Sequence, residues 1–276
     1  METRYLTQTA LADLANVPAT SRWVRTTSLA LHVLDYGGAG KPVLILPGIS
    51  SPAITMDFVA RRLTDLVRPI TVDIRGRGLS DSASSYSLDD YAEDVEAIVN
   101  DLDLEGVTLL GHSMGARIAA VTAARKNVTV SSLILVDPPM SGPGRAPYPT
   151  TLPVFLDQLG QAQRGTTVAE VAHSWPRWPE AEQRLRAHWL SSCDGYAIGA
   201  THRGFETEDF FDTWPQLTGE VALVYGRASP VVTAEGVAYA EFTNPGAEFV
   251  SVPDAGHMVF WDNPDGALTV VRHLLQ

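Results

Sequence analysis

Three side chains of this sequence have the types and the order needed to cleave an acyl bond. They are Ser113 in Gly111-His112-Ser113-Met114-Gly115, Asp137 in Asp137-Pro138-Pro139, and His257 in Asp254-Ala255-Gly256-His257-Met258. A serine hydroxyl is a poor nucleophile at neutral pH, so it needs a base within hydrogen-bond reach and a third group to orient that base. The apolar run Val107 to Leu110 precedes the glycine-framed serine and the small-residue run Ala116 to Ala124 follows it. That strand-turn-helix setting makes G-x-S-x-G a nucleophile elbow, in which the flanking glycines relieve a turn too tight for side chains.

Of seven histidines, His257 stands where the base should, after the last expected strand and last in the chain order Ser, Asp, His. His112 is expected to point to the opposite side of the elbow and to be structural. His173, His188 and His202 are scattered without metal-ligand spacing, so neither a metal nor a cofactor is expected. The acid of such a triad usually follows the strand before the histidine strand, in a Gly-x-x-Asp-Pro segment. Here that segment reads Gly226-Arg227-Ala228-Ser229-Pro230, and serine carries no charge to stabilise an imidazolium. Asp137 ends the strand after the nucleophile strand, in a turn stiffened by two prolines. Because the carboxyl ends of parallel strands share one edge, it is the favoured acid. Asp254 is the second candidate, but three residues before the histidine it is expected to face solvent or brace its loop. Two backbone amides are expected to hold the oxyanion: Met114, at the start of the nucleophile helix, and Ile49, after Pro47-Gly48.

These groups need a sheet to position them. Leu29 to Tyr36 alternates like a half-buried strand, while Val43 to Leu46, Pro69 to Ile74 and Ser132 to Val136 are short continuous apolar runs typical of strands buried on both faces. Leu88 to Leu102 has helical spacing, with Asp89, Asp90 and Glu93 near its start. Val221 to Tyr225 and Glu248 to Val252 read as further strands, Thr233 to Phe242 and Pro264 to Leu275 as helices. This alternation implies an α/β chain with a mostly parallel central sheet covered by helices on both faces. From Ser141 to about Pro215 the pattern becomes proline- and tryptophan-rich and weakly helical, with segments at Thr151 to Gln163, Val168 to Ser174 and Glu180 to Ser192. The expected organisation is therefore a core of residues 1–140 and 216–276 with an inserted helical cap of residues 141–215. Trp175, Trp178, Trp189 and Trp214 are expected to form the core of that cap, with one of them lining the pocket as the alternative.

At 276 residues, 45% hydrophobic and 19% charged, the chain is long enough for one large core, and no apolar run approaches the ~18 residues of a membrane span. A formal net charge of −12 argues against nucleic acid, whose binding depends on cations that neutralise phosphates. Met1 to Ala10 lacks a basic flank and a continuous apolar region, so no secretory leader is expected. The lone Cys193 excludes an intrachain disulfide, fits a reducing compartment such as the cytoplasm, and is expected to be a buried small hydrophobe.

Four runs together resemble a known family: Leu46-Pro47-Gly48-Ile49-Ser50-Ser51-Pro52-Ala53-Ile54-Thr55, Asp73-Ile74-Arg75-Gly76-Arg77-Gly78-Leu79-Ser80, Gly111 to Arg117, and Leu135-Val136-Asp137-Pro138-Pro139-Met140-Ser141-Gly142-Pro143-Gly144-Arg145. The chain resembles the N-formylmaleamate deformylases of bacterial nicotinate and related pyridine-ring degradation, within the α/β-hydrolase superfamily. The elbow and the Arg-Gly-x-Gly loop are shared superfamily-wide, whereas the first and last runs are far more specific. The chain departs from the pattern around Ala197 to Glu208 and Gly226 to Val232. The resemblance supports Asp137 as acid and implies an α/β-hydrolase fold and hydrolysis of a small amide that carries a carboxylate. The carboxylate calls for a cation. Arg145 is the first candidate, Arg203 the second, and Arg117 the third, while Arg75 is expected to brace its loop. Two other readings use the same residues: an esterase, amidase or carbon-carbon bond hydrolase acting on another acyl group, and a noncatalytic ligand-binding member of the fold. The oligomeric state is open.

Overall fold

The computed structural model describes residues 4–276; of the N-terminal stretch, Met1 to Thr3 lie outside them. In chain order the elements are α1 (Gln8–Ala15), β1 (Thr20–Arg25), β2 (Ala30–Asp35), β3 (Pro42–Leu46), α2 (Asp57–Arg61), β4 (Arg68–Val72), α3 (Leu88–Asp101), β5 (Val107–His112), α4 (Met114–Arg125) and β6 (Val130–Val136). There follow α5 (Leu152–Arg164), α6 (Val168–Ser174), α7 (Glu180–Trp189), α8 (Gly195–Thr207), α9 (Phe210–Thr213), β7 (Glu220–Gly226), α10 (Ala234–Thr243), β8 (Glu248–Val252), α11 (Val259–Asp262) and α12 (Pro264–Leu274).

The strands form one sheet in the order β1-β2-β4-β3-β5-β6-β7-β8. β1 and β2 are antiparallel to their neighbours and the other pairs are parallel. The continuous apolar strands sit in the middle, where side chains of both parities are buried: Leu44, Leu46, Leu109 and Leu133 pack on the face that also buries Val95 and Ile118 of α3 and α4. Val43, Ile45, Leu110 and Ile134 pack on the other, with Phe260, Trp261 and Leu268 of α11 and α12. Helices cover both faces, as an α/β sheet with doubly buried strands requires.

Helix starts follow local chemistry. Ser87 and Asp90 make a reciprocal capping box at α3, Thr167 and Glu170 another at α6, and Asn263 caps α12 ahead of Pro264. Several elements lie beyond the sequence expectation. β1 is an edge strand exposed at all but Val24, so it carries no hydrophobic alternation. α8, with glycines at 195, 199 and 204, is built from poor helix formers and is held by tertiary packing instead. α5 to α9 all fall between β6 and β7. Among the described residues no helix is long and apolar enough to cross a membrane.

Candidate active site

The parallel strands bring three turns to one edge of the sheet. In register, His112 of β5 faces Val136 of β6, Val136 faces Val224 of β7, and Gly226 faces Val252 of β8. Ser113 follows β5 directly with φ 55° and ψ −119°, a positive-φ conformation rare outside glycine and costly unless its surroundings enforce it. Here they do. The Ser113 amide donates to the Val136 carbonyl at 2.8 Å, and a Cβ on Gly111 or Gly115 would come within 2.3 Å of the Gly115 backbone or 1.9 Å of the Leu46 carbonyl. The elbow glycines are thus required by close backbone approach; neither has a positive φ.

Ser113 Oγ lies 2.9 Å from His257 Nε2, and His257 Nδ1 lies 2.7 Å from Asp137 Oδ2. Asp137 is fully buried and itself adopts a positive φ of 50° in the turn after β6. Its carboxylate accepts two more bonds, from the Gly226 amide at 3.0 Å and from Ser229 Oγ at 2.6 Å. The serine found where an acid was expected therefore supports a carboxylate supplied by the neighbouring strand. Ser229 Oγ also accepts from the Val231 and Val232 amides, which fixes the loop around it. Asp254 is exposed and does not join this relay.

His112 is structural, as expected, but its direction differs. Rather than turning away, it is buried and stacks obliquely on His257 with ring centroids 5.3 Å apart. Burial, reinforced by the neighbouring His257, pushes its pKa down to about 3, so the ring is neutral and its Nε2–H donates to the His257 carbonyl at 2.9 Å. It thereby anchors the backbone of the loop that carries the base.

Ile49 and Met114 are buried beside Ser113. Among the described residues neither backbone amide donates to a protein acceptor, leaving both available to a developing oxyanion. Arg77, wholly buried, donates from Nε to the Ile49 carbonyl at 3.0 Å and touches Met114 Sδ at 3.7 Å, bracing both. Arg75, as expected, is a loop brace, paired with Asp94 at 2.6 Å.

A cavity of about 40 Å³ lies against Ser113, walled by Gly48 to Ser51, His112, Trp175, Trp178, Arg186, His257 and Met258 in part. It shares Trp175, Trp178, His257 and Met258 with a wider space of about 370 Å³ that opens outward. None of the three arginines expected to receive a carboxylate lines either. Arg145 is bound through Nε to both oxygens of Asp209 at 2.9 Å and lies over the rings of Phe211 and Tyr239, in an adjoining cleft of about 340 Å³ that shares Tyr148, Pro149, Pro230 and Val231 with the wider space. Arg203 is exposed on α8. Arg117 is buried under the Glu208 carbonyl, to which it donates, with its guanidinium over Phe205; burial pushes its pKa down to about 10. Trp175 and Trp178 line the cavity, whereas Trp189 and Trp214 are core residues.

Two residues at the site were not anticipated. Tyr148 places its hydroxyl 3.2 Å from His257 Nε2 and packs on Phe205; the only sequence signal was its position between Pro147 and Pro149. Arg186 gave none, because a cation in the last turn of α7 is what the helix dipole favours anyway.

The chain matches the alpha/beta hydrolase fold family over residues 41–264. It is 37% identical over 245 residues to N-formylmaleamate deformylase of Pseudomonas putida, covering 88% of this chain and 91% of that one. It is 29% identical to 2-(acetamidomethylene)succinate hydrolase of Mesorhizobium japonicum, covering 96% and 98%. Among solved structures, a serine-to-alanine form of the N-formylmaleamic acid deformylase from Pseudomonas putida S16 superposes with a TM-score of 0.87 at 40% identity, over 91% of this chain and 100% of that one. The chain therefore belongs to the α/β-hydrolase fold family, as a hydrolase related to N-formylmaleamate deformylase.

Proposed function

We propose that this protein hydrolyses N-formylmaleamate to maleamate and formate through a formyl-serine intermediate, as a cytoplasmic step of aerobic nicotinate or related pyridine-ring degradation. Ser113 gives its proton to His257 Nε2 and attacks the formyl carbon, while the Ile49 and Met114 amides hold the oxyanion and Asp137 stabilises the imidazolium. The carbon-nitrogen bond breaks as His257 returns the proton to the leaving nitrogen, releasing maleamate. His257 then deprotonates a water that attacks formyl-Ser113, and formate leaves as Ser113 recovers its proton.

The observation that carries this reading is the size of the cavity at Ser113. That cavity is narrow, about 40 Å³, and continues into the wider space of about 370 Å³, which suits a small acyl compound whose remaining skeleton extends outward from Ser113. The relatives' names support the same class, a small acyl group on an amide nitrogen of a carboxylated skeleton. The second of them favours acetyl as the alternative acyl group.

Formate release from N-formylmaleamate by the purified chain, with Ser113→Ala as control, is the test. Fast release that disappears in the control supports the reaction. Absent release, with intact fluorophosphonate labelling of Ser113, would reject the substrate and direct attention to N-acetyl analogues and small esters. Failure of the label as well would favour a noncatalytic ligand-binding role.

A further inference from the structure

Arg186 is a buried charge in the wall of the Ser113 cavity, yet among the described residues it makes no ion pair. Nη1 donates to the Ser50 carbonyl at 2.7 Å and to Ser50 Oγ at 2.9 Å, Nη2 donates to Gln158 Oε1 at 3.1 Å, and Nε has no protein acceptor among the described hydrogen bonds. Of the other buried arginines, Arg75 has Asp94, Arg77 spends Nε and both terminal nitrogens on neutral acceptors, and Arg117, with Nε and Nη1 unpartnered, donates to the Glu208 carbonyl and does not line the Ser113 cavity. A cation removed from water without a counter-ion is destabilising, and an anion arriving beside it relieves that cost. Burial pushes the Arg186 pKa down only to about 10, so the charge persists at neutral pH.

A second orphan lies in the same wall. Trp178 Nε1 is buried without an acceptor, and Trp178 lines the Ser113 cavity with Arg186, Ser50 and Ser51. That nitrogen is closed off from the cavity, so Trp178 contributes there as apolar wall and not as a donor. The cavity wall thus combines a cation, two hydroxyls and the side chain of Trp178, next to the nucleophile.

We infer that Arg186, with the Ser50 and Ser51 hydroxyls, is the receptor for a carboxylate on the substrate, restricting the site to small anionic amides. The inference rests on the hydrolase reading above and deepens it, replacing Arg145, Arg203 and Arg117 as the carboxylate contact. Because Arg186 also grips the Ser50 carbonyl, one peptide beyond Ile49, anion binding there tightens the loop that presents the Ile49 amide.

Calorimetric titration of the Ser113→Ala chain with maleamate, and separately with its uncharged diamide, tests this without turnover. With Arg186 present, maleamate binds about 10- to 100-fold more tightly than the diamide, the range expected of a charged hydrogen bond. Arg186→Gln brings the two affinities together, and Arg186→Lys keeps part of the preference. Equal affinities with Arg186 present, undetectable maleamate binding, or a preference that survives Arg186→Gln overturns the assignment. Should the glutamine variant not fold, Arg186→Lys decides: it narrows the preference for maleamate several-fold, and an unchanged preference overturns the assignment. Formate release is a separate measurement, so loss of the proposed reaction and loss of the carboxylate receptor are distinguishable.

Discussion

Arg145 and Arg186 both belong to the helical layer between β6 and β7, yet that layer treats them oppositely. Arg145 is neutralised by Asp209 and sandwiched by two aromatic rings; Arg186 is buried among neutral acceptors in the wall of the Ser113 cavity. The contrast extends to the layers themselves. At the sheet edge, Ser113, Asp137 and His257 are held by backbone register and by hydrogen bonds to adjacent strand ends, whereas the helical layer supplies surfaces whose meaning depends on which distant residue they meet. In the proposed reading, chemistry resides in the first region and selection in the second.

The largest effect that can break this division is at the elbow. Ser113→Ala should lower turnover by on the order of 10⁶ and abolish fluorophosphonate labelling; measurable labelling would remove the serine from its role. Asp137→Asn should lower turnover by roughly 10⁴, whereas Ser229→Ala, which removes one of three donors to the same carboxylate, should cost about tenfold or less. Comparable losses in both, read from steady-state kcat, would mean that the loop after β7 and not the Asp137 charge sustains the base.

His112 sharpens the comparison through stability. Unfolded, its imidazole takes up a proton near pH 6.5; folded, burial holds it off until about pH 3. The unfolded state therefore binds the extra proton throughout that window, and the native advantage, complete above pH 6.5, is lost as pH falls through it. The slope reaches about 1.4 kcal/mol per pH unit. Urea unfolding between pH 7 and pH 4 should be less steeply pH-dependent in His112→Gln; identical slopes would contradict the burial argument. The smallest effect belongs to Arg145→Ala. It should leave the KM for N-formylmaleamate within about twofold while costing about 1 kcal/mol in urea denaturation, as expected of a partly exposed ion pair over aromatic rings. A large rise in KM with unchanged stability would return Arg145 to the substrate.

What was legible in the sequence follows the same division. The parallel sheet could be read because doubly buried strands such as Val107 to Leu110 are continuous apolar runs, and the elbow because close backbone approach admits only glycine at 111 and 115. Asp137 could be singled out because the alternative position held Ser229. Cys193 is indeed buried. Edge strand β1 and glycine-rich α8 were not legible, since each is stabilised by neighbours and not by its own pattern. Nor could the arginines be sorted. Arg145 meets Asp209 from 64 residues away, and Arg186 meets Ser50 from 136 residues away, and no local spacing encodes either encounter. The structural role of His112 was legible, but its packing on His257, 145 residues away, was not.

Under the proposed mechanism, supplying the acid from the turn after β6 has a practical result for redesign. The loop from Gly226 to Val232 contributes an amide and a hydroxyl to Asp137 but no charge, while Pro230 and Val231 line both outer clefts. Provided Gly226 and Ser229 are retained, that loop can be exchanged to reshape the approach to the site without relocating a catalytic carboxylate, a freedom that chains carrying their acid in this loop do not have.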